Sequence, residues 1–263
     1  MSLTDTHAHL DGPEFASDLE QTVARAQSAG VTTIVSAGQD EATSRATLDI
    51  AARFASVAPA AGVHPHLAKD AGDLGWLPKL LDDPRIMAAG EMGLDYHYDF
   101  SPRERQREVF AQQLRWASER DLSAIVHCRE AYDDVMALLS EHRKRAIPVV
   151  IHCFTASYEI GKQFIDDFDA YLGIGGAVTF KKATDLHDAV TRLPLERLVL
   201  ETDCPYMTPT PFRGKRNEPA FMKLTCDAVA TLRNMATESI AEATTANALR
   251  LFPRLATRYG RST

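Results

Sequence analysis

Long apolar runs are missing from this chain of 263 residues: nothing approaches the roughly 18 uninterrupted apolar residues that a membrane-crossing helix needs. No basic segment followed by an apolar export signal opens the chain, so the expectation is a soluble, cytoplasmic protein. Basic charge is scarce as well. Lys and Arg number 29 against 36 Asp and Glu, a net charge of −7. That balance excludes broad electrostatic attraction to a phosphate backbone and leaves only local contact. Cysteine is limited to Cys128, Cys153, Cys204 and Cys226 with no CxxC pair, which excludes a disulfide scaffold and a zinc knuckle. Cys128 follows His127 and Cys153 follows His152, so on strands each thiol faces away from its histidine and serves as packing. No Pro/Gly/Ser-rich linker, low-complexity tract or repeat interrupts the chain, and residues 1–263 read as one domain.

What is present is an alternation of short apolar, β-branched runs with stretches of helical period. Strands are expected at Leu3 to Thr6, Thr32 to Ser36, Ala58 to Val63, Ile86 to Gly90, Ser123 to Val126, Val149 to Ile151, Ala170 to Ile174 and Leu198 to Leu200. Helices are expected at Asp18 to Ala29, Glu41 to Phe54, Arg103 to Arg120, Tyr132 to His142, Glu159 to Phe168 and Pro219 to Arg233, with Ser239 to Tyr259 as extra helix. Strand and helix in strict alternation imply βαβ units and a parallel sheet. Eight such units in this length predict an α/β fold, a single-domain (β/α)8 TIM barrel, with a doubly wound open sheet as runner-up. Barrel enzymes carry their site where the C-terminal strand ends converge.

Reactive residues cluster at those ends. His7 and His9 close strand one with only Ala8 between them, so the period of two puts both imidazoles on one face, an arrangement that suits a divalent metal. His64 and His66 follow strand three, Glu91 strand four, His127 strand five and His152 strand six, while Glu201 and Asp203 follow strand eight. A lone histidine at a strand end is most often structural. Several at one barrel mouth with carboxylates would leave like charges and unpaired donors buried together, a conflict that divalent ions remove.

The HxH on strand one, acid on strand four, histidines on five and six, and Asp on eight resemble the metal hydrolases of the amidohydrolase superfamily. Asp5-Thr6-His7-Ala8-His9-Leu10, Gly62-Val63-His64-Pro65-His66, Gly90-Glu91-Met92-Gly93-Leu94-Asp95-Tyr96, His152-Cys153-Phe154 and Glu201-Thr202-Asp203-Cys204-Pro205-Tyr206 narrow the resemblance to the TatD family of metal-dependent deoxyribonucleases. It covers essentially the whole chain. Gln106, Gln113, Val178 to Lys181 and Arg213 to Pro219 support it, and Met92 departs from the family's usual isoleucine. The resemblance implies two, sometimes three, divalent ions and removal of nucleotides from DNA 3′ ends. It implies that His7, His9, Glu91 and Asp203 hold one ion, and Glu91, His127 and His152 the second. Many amidohydrolases bridge their ions with a carboxylated lysine on strand four. No lysine stands there, so Glu91 would bridge.

Two ions and two carboxylates leave a net +2, which suits a phosphodiester anion and a metal-activated water. Asp203 is the candidate proton acceptor from that water, and Glu201 either orients a metal ligand or binds a third ion. His64 is the candidate donor to substrate, and His66 is expected to structure its loop. His97, His142 and His187 carry no motif and are expected at the surface. Arg129, Lys181, Lys182, Arg213, Lys215 and Arg216 lie on βα loops as a phosphate-binding rim, where Tyr96, Phe154, Tyr206 and Phe212 could stack on bases. The ligands do not choose among Zn, Mn, Mg, Co and Fe. Nor do they separate DNA from another ester or amide, including D-aminoacyl-tRNA, whose D-amino acid some relatives are thought to remove. Nothing calls for a membrane or an obligate protein partner.

Overall fold

The computed structural model describes residues 2–143 and 146–258. Eight parallel strands lie in sequence order: β1 (Leu3–Ala8), β2 (Val31–Ala37), β3 (Val57–Ala61), β4 (Ala88–Asp95), β5 (Ser123–Arg129), β6 (Val149–Ile151), β7 (Tyr171–Ile174) and β8 (Leu198–Leu200). Around them run α1 (Leu19–Ser28), α2 (Glu41–Arg53), α3 (Trp76–Leu81), α4 (Arg103–Glu119), α5 (Tyr132–His142), α6 (Tyr158–Phe168), α7 (Thr184–Arg192), α8 (Met222–Arg233), α9 (Thr237–Leu251) and α10 (Pro253–Arg258). This is the expected TIM barrel. Expected helix Ser239 to Tyr259 is split, because Pro253 cannot donate to the ladder and the chain turns at Phe252; Tyr259 lies outside the described residues. Among the described residues no helix is long and apolar enough to cross a membrane.

Strands of period two have two faces, and both are buried, as a parallel sheet requires. Val35, Ala58, Ala60, Ile125, Val150 and Val199 fill the barrel interior together with Leu251, Phe252 and Leu255 from the C-terminal helices. Their neighbours Ile34, Val57, Val126, Val149, Leu198 and Leu200 face the helix layer. Ser123 Oγ donates to the Leu251 carbonyl (2.5 Å) and Arg254 to that of Ile86 (2.9 Å). The C-terminal helices therefore plug the barrel at its N-terminal strand ends, and the opposite mouth stays free for chemistry.

β1 and β5 run past their expected ends to Ala8 and Arg129, and β4 and β3 depart from expectation for identifiable reasons. β4 does not stop at Gly90: after an irregularity between Ala89 and Met92 it stays in register with β5 from Met92↔Val126 to Asp95↔Arg129. Glu91, Gly93 and Asp95 thus share one strand. A Cβ on Gly93 would stand 2.0 Å from the His127 carbonyl oxygen, and its φ of +146° suits only glycine. β3 ends early, at Ala61, because Gln113 of α4 takes both backbone groups of Val63, accepting from its N–H (2.8 Å) and donating to its carbonyl (3.0 Å). Gln106 does the same for Asp95 at 2.8 and 3.1 Å.

The barrel seam has an unusual construction. β1 meets β8 through the chain just beyond it, in a parallel bridge between Ala8 and Cys204. Asp203 N–H donates to the His7 carbonyl (2.9 Å) and His9 N–H to that of Cys204 (2.8 Å). Buried Asp5 accepts from the Thr202 N–H (2.9 Å) and hydroxyl (2.6 Å). Burial pushes the Asp5 carboxyl up to about 8 against the opposing pull of the Thr202 donors. This exceeds its ordinary 3.8, so the folded chain binds the extra proton and this contribution to stability falls as pH rises between those values. Urea denaturation of metal-free protein should therefore show a flatter pH dependence over that window in Asp5→Asn than in wild type. Equal slopes would count against the assignment.

Candidate metal centre

At the open mouth the interior rows continue as polar side chains: two residues past Ile125 stands His127, two past Val150 stands His152, and two past Val199 stands Glu201. From β1 come His7 and His9, from β4 Glu91, and from the turn after β8 Asp203, held at φ +55°. All these side chains are buried or nearly so.

Glu91 sits at the centre with its two oxygens facing different partners. Oε2 lies 3.4 Å from Nε2 of both His7 and His9, and those nitrogens lie 3.8 and 3.6 Å from Asp203 Oδ1. Oε1 lies 2.7 Å from His152 Nε2, 3.0 Å from His127 Nδ1 and 3.2 Å from His64 Nε2. The His7 and His9 Nε2 atoms are 3.1 Å apart, as are, at 3.2 Å, His127 Nδ1 and His152 Nε2. Ring nitrogens turned toward one another and toward a carboxylate oxygen with no hydrogen-bond partner, Glu91 Oε2, are what a divalent ion's ligands look like. Four triplets have the required proximity: His7/His9/Glu91, His7/His152/Asp203, His64/Glu91/His127 and His66/Asp95/His127. No thiol belongs to any of them among the described residues.

Hydrogen bonds to three of the rings set their tautomers. His9 Nδ1 must donate to the Ala37 carbonyl (3.0 Å), which leaves Nε2 with a free lone pair. His127 Nε2 faces Asp95 Oδ2 at 2.9 Å, so its proton sits there and Nδ1 is the free donor atom. His64 is the reverse. Its Nδ1 accepts from the His66 N–H (3.1 Å), so the neutral ring carries its proton on Nε2, facing the centre. Burial, in spite of Glu91, brings its pKa down to about 4 and keeps that ring neutral. His64 is thereby built to donate a hydrogen bond.

Charge is balanced by protons when no cation is counted. Burial pushes Glu91 upward, but the histidines packed around it overcome that and hold the carboxyl well below its ordinary range. Burial likewise opposes the charged form of His9, yet Asp203 and Glu91 raise it to about 9. His127 and His152 rise through Asp95 and Glu91 in the same way, and His7 falls because burial is joined by the charge of His152.

Two acids complete the surroundings. Glu201 is fully buried behind His152, its Oε1 accepting from Cys153 N–H (2.5 Å) and lying 3.7 Å from His152 Nδ1. A Cβ on Gly173 would stand 2.1 Å from Glu201 Oε2, so that glycine is required to admit the carboxylate. Asp95, to which the sequence reading gave no role, binds His127 and His66 through Oδ2, both at 2.9 Å. Its signal was its place four residues after Glu91 on one strand face, obscured by ending the strand at Gly90. His66 accordingly does more than shape its loop, since Asp95 joins it to His127.

Arg129, Lys181, Arg213 and Lys215 are exposed, with Arg213 over the Phe180 ring at 4.2 Å and Lys215 near that of Phe212 at 5.5 Å. Arg216 departs from the rim because Asp18 neutralises it through two hydrogen bonds of 2.6 and 2.8 Å. Phe154 is 2% exposed and cannot stack on anything outside the core. Tyr206 is half exposed, its ring 6.1 Å from that of His9. His142 and His187 are half-buried instead of superficial, His187 bonding to the Val178 carbonyl.

A cation relieving this buried cluster must stabilise the fold. At a concentration about 100 times its Kd, a divalent metal should raise the unfolding midpoint by roughly 5–10 °C over chelator-treated protein. Glu91→Ala should lose most of that increment; an undiminished shift would place the ion elsewhere.

A family model described as TatD related DNase matches residues 4–253. The uncharacterized metal-dependent hydrolase YabD of Bacillus subtilis strain 168 is 42% identical over 252 residues, covering 95% of this chain and 98% of that protein. The 3′-5′ ssDNA/RNA exonuclease TatD of Dickeya dadantii is 36% identical over 260 residues, covering 94% and 97%. The crystal structure of YJJV, a TatD homologue from Escherichia coli K12, superposes with a TM-score of 0.88 at 30% identity, covering 95% and 98%. By these relations and the clustered ligands at its barrel mouth, the chain belongs to the TatD family and is a metal-dependent hydrolase.

Proposed function

We propose that this protein hydrolyses phosphodiester bonds at the 3′ ends of single-stranded DNA. The observation that carries the reading is the orientation of Glu91, with one oxygen toward His7 and His9 and the other toward His127 and His152. In this reading His7, His9, Glu91 and Asp203 would hold one divalent ion and Glu91, His127 and His152 a second, with Glu91 shared between them. When bound, such ions supply Lewis-acid polarisation of a phosphoryl oxygen and a lowered pKa for water. Relatives named 3′-5′ ssDNA/RNA exonuclease support this choice of substrate.

The residues then divide the work. Asp203, pulled below its ordinary range by His9 and the neighbouring histidines in spite of burial, is ionised and accepts the proton of the attacking water. His64, neutral with its proton on Nε2, donates to a phosphate oxygen. Glu201 positions His152, and Asp95 positions His127, each from behind the ring. Arg129, Lys181, Arg213 and Lys215 attract the strand locally, which an acidic protein needs for an anionic substrate.

Three variants and a substrate comparison test the reading. Asp203→Asn should lower kcat on a 3′-ended single strand by about 10²–10⁴-fold. Glu91→Gln should lose both activity and bound metal, and full activity in that variant would sink the bridged centre. Arg213→Ala should weaken binding to all sequences alike and reduce the salt slope by about 1; an unchanged slope would remove Arg213 from the rim. Parallel assays on RNA and D-aminoacyl-tRNA decide whether another ester is preferred.

A further inference from the structure

Two of the four large hydrophobic side chains that stand exposed among the described residues occur together on the loop between β4 and α4: Tyr98 at 48% and Phe100 at 55%. Their rings are stacked, with centroids 5.2 Å apart and planes at 16°. His66 meets both edge-on, at 5.6 Å from Tyr98 and 4.8 Å from Phe100. The Arg129 guanidinium lies over the Tyr98 ring at 4.8 Å. Exposed aromatic area on an acidic protein is costly to leave in water, and none of it is needed for the core.

The loop is not a loose one. Asp95 Oδ1 accepts the N–H groups of His97 (3.1 Å) and Tyr98 (2.9 Å), while its Oδ2 binds His127 and His66. Ser101 donates to the His66 carbonyl and accepts from Lys69 N–H, and Gln106 donates to the Ser101 carbonyl at 2.8 Å. One carboxylate therefore anchors both the aromatic pair and His127, whose ring lies 6.0 Å from that of His66. The pair stands one histidine ring away from the candidate metal ligands at a fixed offset.

We propose that Tyr98 and Phe100, with Arg129, form a stacking platform that seats an unpaired nucleobase while the adjoining phosphodiester lies at Glu91 and its histidines. The proposal rests on the nuclease reading and sharpens it by naming what selects the substrate. An aromatic face beside a guanidinium accepts any base but needs its π-face free of a neighbouring stack, which a single-stranded end provides. The platform selects single-stranded, base-bearing nucleic acid over duplex and over simple phosphodiesters.

The test compares a 3′-ended single strand with the same strand made abasic at its last two nucleotides, using KM under turnover and Kd with phosphorothioate-ended versions. DNA and RNA arms report which backbone the site accepts, and a base preference on either meets the expectation. Wild type should favour the base-bearing strand by roughly 5- to 150-fold per stacked base. Tyr98→Ala and Phe100→Ala should move that ratio toward one, whereas Phe100→Trp should retain it. Both positions are exposed, and a thermal melt of each variant checks its fold. Equal binding of the two strands by wild type, or a preference that survives both alanine variants, overturns the platform; if hydrolysis persists, the nuclease reading stands. Base-dependent binding without hydrolysis of either strand keeps the platform and overturns the nuclease reading. Failure to bind either strand overturns both.

Discussion

The barrel closes through the segment that also carries its chemistry. β1 is joined not to a full-length eighth strand but to residues 202–204, through Asp5 with Thr202, His7 with Asp203, and His9 with Cys204. These bonds alternate with the side chains of His7, His9 and Asp203 along the same few residues. Closure of the sheet and convergence of three candidate ligands are therefore one event. The loop that follows is held by Asn217, whose amide donates to the carbonyls of Thr202 (2.8 Å) and Tyr206 (2.7 Å). Arg25 and Arg216 then tie it to α1 through Glu218 and Asp18.

That geometry explains why the mouth is electrostatically unstable by itself. Glu91 and Asp203 are buried among histidines whose ring nitrogens face inward, and Glu91 Oε2 and His7 Nδ1 find no hydrogen-bond partner. Protons on His9, His127 and His152 can compensate the carboxylates only by placing like charges near one another. A divalent ion achieves the same neutralisation at shorter range and releases those protons, which couples metal affinity to pH. Asp95 fixes the His127 ring from behind at 2.9 Å, and the Ala37 carbonyl fixes His9 at 3.0 Å, so these two rings are oriented before any ion arrives.

Much of the fold was legible because its signals are local. Short apolar, β-branched runs between stretches of helical period identified all eight strands, and strand geometry places His127 and His152, two residues beyond Ile125 and Val150, on the same face as those residues. The length of β4 was not legible, since Gly90 and Gly93 serve close approach to Ile125 and His127, which only the folded sheet creates. Ending that strand early hid Asp95. Arg216 and Phe154 also misled: a βα-loop cation and a strand-end aromatic suggest a binding rim until Asp18 and the core claim them.

By itself the sequence determined the residue types, the order of the strands and thus the face on which every candidate ligand emerges, because side-chain alternation and chain direction are set locally. Tertiary structure alone decided which oxygen of Glu91 meets which histidines, which nitrogen of each ring is free, and that Asp95 ties His127 to an aromatic pair at the rim. Those matters depend on contacts between segments as many as 197 residues apart, such as Asp5 with Thr202, and no local pattern encodes the angle at which such segments meet.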